Sequence, residues 1–484
     1  MNRSLLLFWT ASAAIFGFIF GNEADEIFLT DLAILLAALV VILAGQTALI
    51  LAAVFVFRRL GREKLGEFIA RLMMVGLLMA NAYYTTFMNF DSSAAVQVVL
   101  AVVVGALFIP PIVLGRWRGF ALFMTCAYFV MSLGLYGYTR ATMQAPQPAA
   151  GTDVRIASDR NVYLIGHESL NSPKAFRELH GLTDLPHVDY LEANGFRVLD
   201  SAYSAAPTTV QNFSRIFEFG RELTNDEGNR RVAFTSRNSA FTLFQESGYK
   251  IQFMYASTHF GVNPMIVDYT FPESGFYQCQ FVPHEFFYIL CREPVRDAIN
   301  RYIFGVTPMG LDVIERRARA AARSKEPWFT FYHHSFPFHT AMTHSYKDAE
   351  ATKAFQERLK EALPKVRRDN FEGTIGTILR EDPNAVILAV GDHGASITRG
   401  ADLDTPNPVY TNRQLLEDRF GVLLAVYPKD FCQNRIFEGS TTTYLLENVA
   451  KCLDGDDAPT AEEIKRSKTF HWKRRRNLDD YAGG

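Results

Sequence analysis

Several features that would place this chain in a common class are missing. It has no basic excess: 49 Lys and Arg stand against 51 Asp and Glu, a formal net charge of -2. That balance argues against a nucleic-acid partner, which calls for a strongly basic face. Cysteine is scarce, five in 484 residues, and none lies in a C-x-x-C pair, which argues against a cysteine zinc site. The first apolar stretch has no small-residue cleavage site before the acidic Asn22-Glu23-Ala24-Asp25-Glu26, so it does not read as a removable signal peptide. No internal repeat is evident.

What is present is a concentration of apolar residues in the first 140 positions. Five stretches, Leu5 to Phe20, Leu32 to Phe57, Phe68 to Phe87, Ala94 to Leu114 and Phe120 to Tyr138, each approach the length a helix needs to cross a bilayer. Arg3, then Arg58, Arg59, Arg62 and Lys64, then Arg116 and Arg118 fall on one side of these stretches. The alternate loops carry Glu23, Asp25, Glu26 and Asp91 and no Lys or Arg. Positive charge stays in the cytoplasm, so the N-terminus is expected inside. Five crossings then put everything after Tyr138 outside the cytoplasm.

Cysteine placement agrees with that side. Cys126 lies within the fifth stretch, while Cys279, Cys291, Cys432 and Cys452 follow it. Their closeness in pairs suggests disulfides Cys279–Cys291 and Cys432–Cys452 in an oxidising compartment, with other pairings and free thiols left open.

The expected organisation is a transmembrane domain at 1–140, a Pro/Ala/Gly linker at 141–153 and a catalytic domain at 154–484. Within that domain, Val162-Tyr163-Leu164-Ile165, Trp328 to Phe331, Ala385 to Val390 and Val422 to Val426 are compact apolar runs, as in strands buried on both faces. Helical patterns such as Asp348 to Arg367 and Phe371 to Glu381 separate them. The alternation predicts an α/β domain with a mostly parallel sheet sandwiched by helices. The basic tail, Lys465 to Arg476, is read as resting on anionic headgroups or as a solvated, frayed end.

In such sheets reactive groups gather beyond the carboxyl ends of strands. Two endings qualify: Gly166-His167-Glu168-Ser169-Leu170 and Gly391-Asp392-His393-Gly394. Their carboxylates and imidazole are ligand types suited to Zn²⁺ or Mn²⁺. A third element, Ala206 to Phe217, opens with Thr208-Thr209 and has Val210, Phe213 and Phe217 at helical spacing. A hydroxyl at a helix start meets unpaired N–H groups that favour an anion, although either threonine also serves as a plain N-cap.

The order strand-Glu-Ser, Thr at a helix start, histidine loop and Asp-His-Gly resembles the alkaline-phosphatase/sulfatase superfamily. The five apolar stretches followed by one large domain make it similar to the membrane-bound branch, the lipoteichoic acid synthases and lipid A phosphoethanolamine transferases. The resemblance covers the layout of the whole chain but only short motifs at residue level. It implies Glu168, Thr209, Asp392 and His393 as ligands of one divalent metal ion, Mn²⁺ or Zn²⁺ with Mg²⁺ a further option. It implies Thr209 as the nucleophile, eight residues before Phe217, with Thr208 as the alternative. Asn212-Phe213-Ser214 departs from the Pro-Cys pair that the phosphoethanolamine transferases carry in this helix.

The histidine loop reads Tyr332-His333-His334-Ser335-Phe336-Pro337-Phe338-His339. Its Phe-Pro-Phe resembles the lipoteichoic acid synthases, with His334 as the substrate-contacting residue after one insertion. The five-residue step from His334 to His339 instead matches a pair in the phosphoethanolamine transferases, with His339 as the substrate-side member. Both His334 and His339 therefore stand as candidates. Thr405 occupies the neighbourhood where those transferases carry a further His, so a second permanent metal is not expected, and Asp402 and Asp404 read as solvated loop carboxylates.

The resemblance implies transfer of a phospho-alcohol headgroup, phosphoethanolamine ahead of phosphoglycerol, from a phospholipid donor to a lipid or glycan hydroxyl. The reaction would pass through a phospho-threonine and release diacylglycerol, with the catalytic domain on the periplasmic or extracellular side of a bacterial inner membrane. Against a sulfatase stands the absence of a Cys/Ser-x-Pro-x-Arg run after Tyr203. A phosphodiester hydrolase and a non-catalytic membrane sensor or scaffold are the other readings.

Overall fold

The computed structural model describes residues 2–22, 29–89, 94–142, 154–221, 223, 238–255, 268–271, 311–334, 349–395, 403, 411–472 and 474–481. The linker from Met143 to Asp153, the acidic loop residues Glu23, Asp25, Glu26 and Asp91, and Cys279, Cys291, His339, Asp402, Asp404 and Thr405 lie outside the described residues. The chain divides into two units. One holds Met1–Gln144, and the other holds Ala145–Glu273 with Met309–Gly484.

The first unit contains helices α1 (Asn2–Asn22), α2 (Leu29–Arg59), α3 (Glu63–Asn89), α4 (Ala94–Phe108) and α5 (Arg118–Thr142). Pro110 and Pro111 donate no backbone N–H, and α4 passes there into a π turn, Ile109–Leu114. The Arg118 Nε donates to the Pro111 carbonyl at 2.8 Å. Leu7, Phe8, Ala11, Ile50, Met74, Leu78 and Ile112 pack together inside this unit. Among the described residues, three stretches are long and apolar enough to cross a membrane: Leu39–Arg59, Glu63–Tyr83 and Arg118–Thr139. Val102–Leu114 is a further, shorter apolar helix among the described residues.

The second unit is built on a seven-stranded sheet. Its strands are β1 (Val162–His167), β2 (Arg197–Val198), β3 (Lys250–Tyr255), β4 (Tyr269–Phe271), β5 (Trp328–His334), β6 (Val386–Gly391) and β7 (Leu424–Tyr427). They lie in the order β2-β7-β6-β1-β5-β3-β4. The pairs of β1 with β5 and β6, and of β3 with β4 and β5, are parallel, whereas β7 runs antiparallel to both β6 and β2. The sheet is therefore mixed, with a parallel centre.

Alternation divides each central strand between two cores. Val162, Leu164, Phe329, Phe331, Val386 and Leu388 face one side, with Phe213, Phe217 and Phe241. Tyr163, Ile165, Tyr332, Ile387 and Ala389 face the other, with Phe176, Leu191 and Phe371. Burial on both faces is why these strands read as unbroken apolar runs. The helical patterns at 348–381 form one run: Ala349–Lys365, a π segment Val366–Ile375 and Gly376–Glu381.

Two further expectations meet the structure here. The Cys432–Cys452 disulfide is formed, with Cα atoms 5.6 Å apart. The basic tail is not frayed over its described residues. It makes a hairpin of β8 (Thr469–Trp472) and β9 (Arg474–Asn477), because Phe470 is fully buried against Phe420, ring centroids 4.6 Å apart.

Candidate active site

β1, β5 and β6 run parallel and end together. Their register sets Gly166 beside His333 and Val390, and His167 beside His334 and Gly391. The residues just past β1 and β6, Glu168 and Asp392-His393, therefore emerge side by side at the carboxyl edge. Two glycines make this edge compact. A Cβ on Gly166 would stand 2.6 Å from the Phe213 ring, and one on Gly391 would stand 2.1 Å from the Leu170 carbonyl oxygen.

Helices α6 (Pro173–His180) and α7 (Pro186–Ala193) precede α8 (Thr209–Phe217), which closes the site from one face. Phe213 and Phe217 seat it on the sheet, with ring centroids 4.9 and 5.4 Å from Phe331. Thr208 occupies the N-cap with extended backbone, but its side chain makes no capping hydrogen bond and is exposed. Thr209 is the first helical residue and is 2% exposed. Its Oγ1 donates to Asp392 Oδ2 at 2.6 Å. The start of α8 carries the positive end of the helix dipole, which favours negative charge beside Thr209.

Glu168, Asp392 and His393 are all buried, and their ligand-type atoms lie within 4.8 Å of one another. The other oxygen of Asp392, Oδ1, accepts backbone N–H bonds from Ser169 and His393, both at 2.7 Å. His393 Nδ1 lies 2.7 Å from the Gly394 carbonyl oxygen. A carbonyl only accepts, so Nδ1 carries a proton, and Nε2 is the nitrogen that faces the carboxylates. That nitrogen is 3.7 Å from Glu168 Oε1 and 3.7 Å from Asp392 Oδ2.

Burial alone would lower the His393 pKa, but the charges of Asp392 and Glu168 outweigh it and raise it to about 9. Two buried carboxylates create that demand for positive charge. The donor set, two carboxylates and one correctly oriented imidazole, fits a small divalent cation.

The histidine loop divides between the two faces of the sheet. His333 follows Phe329 and Phe331 onto the α8 side. Its ring meets Phe213 edge-on at 5.7 Å, and its Nε2 stands 3.6 Å from Asp392 Oδ2 and 3.9 Å from Glu168 Oε2. His334 points to the opposite face, stacked on His167 at 5.1 Å and meeting Tyr332 at 4.4 Å. Burial and then neighbouring His333 push its pKa down to about 3. The structure thus gathers Glu168, Thr209, Asp392 and His393 with His333, which the sequence reading passed over, and leaves the His334 ring outside the cluster. Strand parity was the missed signal: His333 shares its phase with Phe329 and Phe331.

No protein-family model and no curated protein matches the chain. Solved structures do. The C-terminal periplasmic domain of EcEptC from Escherichia coli is 11% identical with a TM-score of 0.43, over 70% of this chain and 98% of that one. The integral membrane lipooligosaccharide phosphoethanolamine transferase A from Neisseria meningitidis is 12% identical with a TM-score of 0.38, over 94% of this chain and 92% of that one. A protein in the alkaline phosphatase superfamily from Vibrio parahaemolyticus is 14% identical with a TM-score of 0.37, over 69% and 79%.

Proposed function

We propose that this chain is a membrane-anchored, metal-dependent transferase that moves a phospho-alcohol headgroup from a phospholipid to a lipid or glycan hydroxyl. The observation that carries the reading is the buried Thr209 hydroxyl, hydrogen-bonded to Asp392 at a helix start beside Glu168 and His393. Glu168, Thr209, Asp392 and His393 would hold the metal ion, Mn²⁺ or Zn²⁺. When bound, such an ion supplies Lewis acidity to a phosphoryl oxygen and acidity to a hydroxyl.

The residues themselves do the rest. Thr209 gives its proton along its hydrogen bond to Asp392 Oδ2, and Oγ1 forms the new bond to the donor phosphorus. The bond from phosphorus to the glycerol oxygen breaks, that oxygen takes up a proton, and diacylglycerol leaves. His333 is placed to pass that proton and to offset charge on the phosphoryl group. An acceptor hydroxyl then displaces Oγ1, which recovers a proton. His339 keeps the substrate-side role that the resemblance assigns.

Phosphoethanolamine is favoured over phosphoglycerol. The Thr209 to Phe217 spacing supports it, and a disulfide suits an oxidising periplasm. The reading sets five crossings, a cytoplasmic N-terminus and a periplasmic or extracellular catalytic domain.

The test uses the full chain in detergent with Mn²⁺ or Zn²⁺ and mixed phospholipids, following diacylglycerol and the mass of the Thr208-Thr209 peptide. A phosphoethanolamine or phosphoglycerol adduct with stoichiometric diacylglycerol is expected and names the donor. Free phospho-alcohol without transfer to any acceptor would assign a hydrolase. No metal uptake and no adduct would leave a scaffold.

A further inference from the structure

Ser169 is a serine in a conformation that favours glycine. Its φ is 52°, in the left-handed region where an L side chain is strained. Such strain persists only where the surroundings hold it, and it gathers at functional sites. The neighbours show what the strain achieves.

The β1 ladder runs on through Glu168, whose N–H donates to the His334 carbonyl at 3.0 Å. One residue later the chain leaves the ladder. The 168–169 peptide plane turns the Ser169 N–H onto Asp392 Oδ1 at 2.7 Å, where the His393 N–H also donates at 2.7 Å. Because the Leu170 carbonyl just beyond is held by the Leu423 N–H at 2.9 Å, the positive φ of Ser169 is what joins that plane to the onward path. With Oδ1 held by two backbone donors, the carboxylate has a fixed rotation, and Oδ2 is the oxygen left for Thr209 Oγ1 at 2.6 Å and His333 Nε2 at 3.6 Å. Ser169 thereby ties the residue after one strand end to the carboxylate after another.

We infer that Ser169 is a positioning residue: its left-handed φ lets the chain continue from a peptide plane whose N–H fixes Asp392, and that conformation is what the site requires of it. The inference rests on reading Glu168, Asp392 and His393 as a metal centre. It gives an unusual order of substitutions. Glycine adopts this φ freely, alanine with strain, and a β-branched residue with most strain.

The experiment compares Ser169→Gly, Ser169→Ala and Ser169→Val in the full chain, titrating Mn²⁺ and Zn²⁺ by calorimetry and following amide exchange at Asp392–Gly394 in metal-free protein. Ser169→Gly should bind within about twofold of wild type, Ser169→Ala several-fold more weakly, and Ser169→Val more than about tenfold more weakly, as for loss of a partner behind a metal ligand. Amide protection at His393 should follow the same order. Equal loss in Ser169→Gly and Ser169→Ala would overturn the inference and assign the role to the hydroxyl. Wild-type affinity in a folded Ser169→Val would overturn it as well.

If wild type itself takes up no metal, the metal-centre reading fails on its own. The exchange order in metal-free protein then decides Ser169. Protection kept in Ser169→Gly and lost in Ser169→Val supports the positioning role, and equal protection in all variants ends it.

Discussion

Thr209 Oγ1 and Asp392 Oδ2 stand 2.6 Å apart, although 183 positions separate them in the chain. One is the first residue of a helix and the other the first residue past a strand. The short bond exists because Phe213 and Phe217 press that helix onto β5, beside the strands that end at His167 and Gly391.

Thr209 and Thr208 should separate cleanly. Thr209→Ala should remove the adduct and reduce diacylglycerol release by at least roughly 10³-fold, because the nucleophile is gone. Thr208→Ala should retain activity and change stability by less than about 0.5 kcal/mol, since its exposed side chain makes no cap bond. Peptide mass and chemical denaturation check the pair. An adduct that persists in Thr209→Ala moves the nucleophile to Thr208.

His333 and His334 should behave oppositely. His333→Gln should cost roughly 10²-fold to 10⁴-fold in kcat, as for a proton carrier. His334→Phe should cost about 1–3 kcal/mol of stability through altered packing against His167 and Tyr332, with kcat changed less than tenfold. Steady-state kinetics beside thermal unfolding decide this, and a reversed pattern would restore His334 as the catalytic residue.

Metal removal should lower the melting temperature of wild type, because an ion held by Glu168, Asp392 and His393 binds the folded chain and not the unfolded one. At a hundred times its dissociation constant, a bound ion adds about 2.7 kcal/mol. Asp392→Asn should make melting indifferent to chelator, and its metal-free form should melt no lower than metal-free wild type. Scanning calorimetry with and without chelator is the measurement.

Acid should destabilise the second unit through buried neutral histidines. Burial lowers His187 to about 3 and His180 to about 4. Folded-state values below the unfolded 6.5 mean that the unfolded chain binds more protons as pH falls below 6.5. Stability is therefore full above that pH and declines toward pH 3, by at most about 1.4 kcal/mol per unit for each histidine. His187→Phe should flatten this slope in denaturation curves between pH 7 and 5. An unchanged slope would show that His187 is not buried neutral.

Much of the site could be read from strand ends. Glu168 and Asp392-His393 each follow a compact apolar run and sit beside glycine, and a parallel sheet puts such residues on one edge. His333 could not be chosen over His334 that way. The two are adjacent and alike, and only the packing of α8 shows which face of β5 carries the carboxylates. The basic tail misled for a related reason: its charges are visible in the sequence, whereas the pocket beside Phe420 that takes Phe470 is not.

The sequence by itself determined the apolar helices, the alternating strands and helices, the chemistry-bearing residues and the placement of the cysteines, because hydropathy period and residue type are local properties. Tertiary structure decided the antiparallel β7, the face that each histidine takes, the burial of Thr209 beside an exposed Thr208, and the left-handed turn at Ser169. Each of these depends on what a distant segment places opposite, and a sheet assembled from strands more than a hundred residues apart fixes those partners only when it closes.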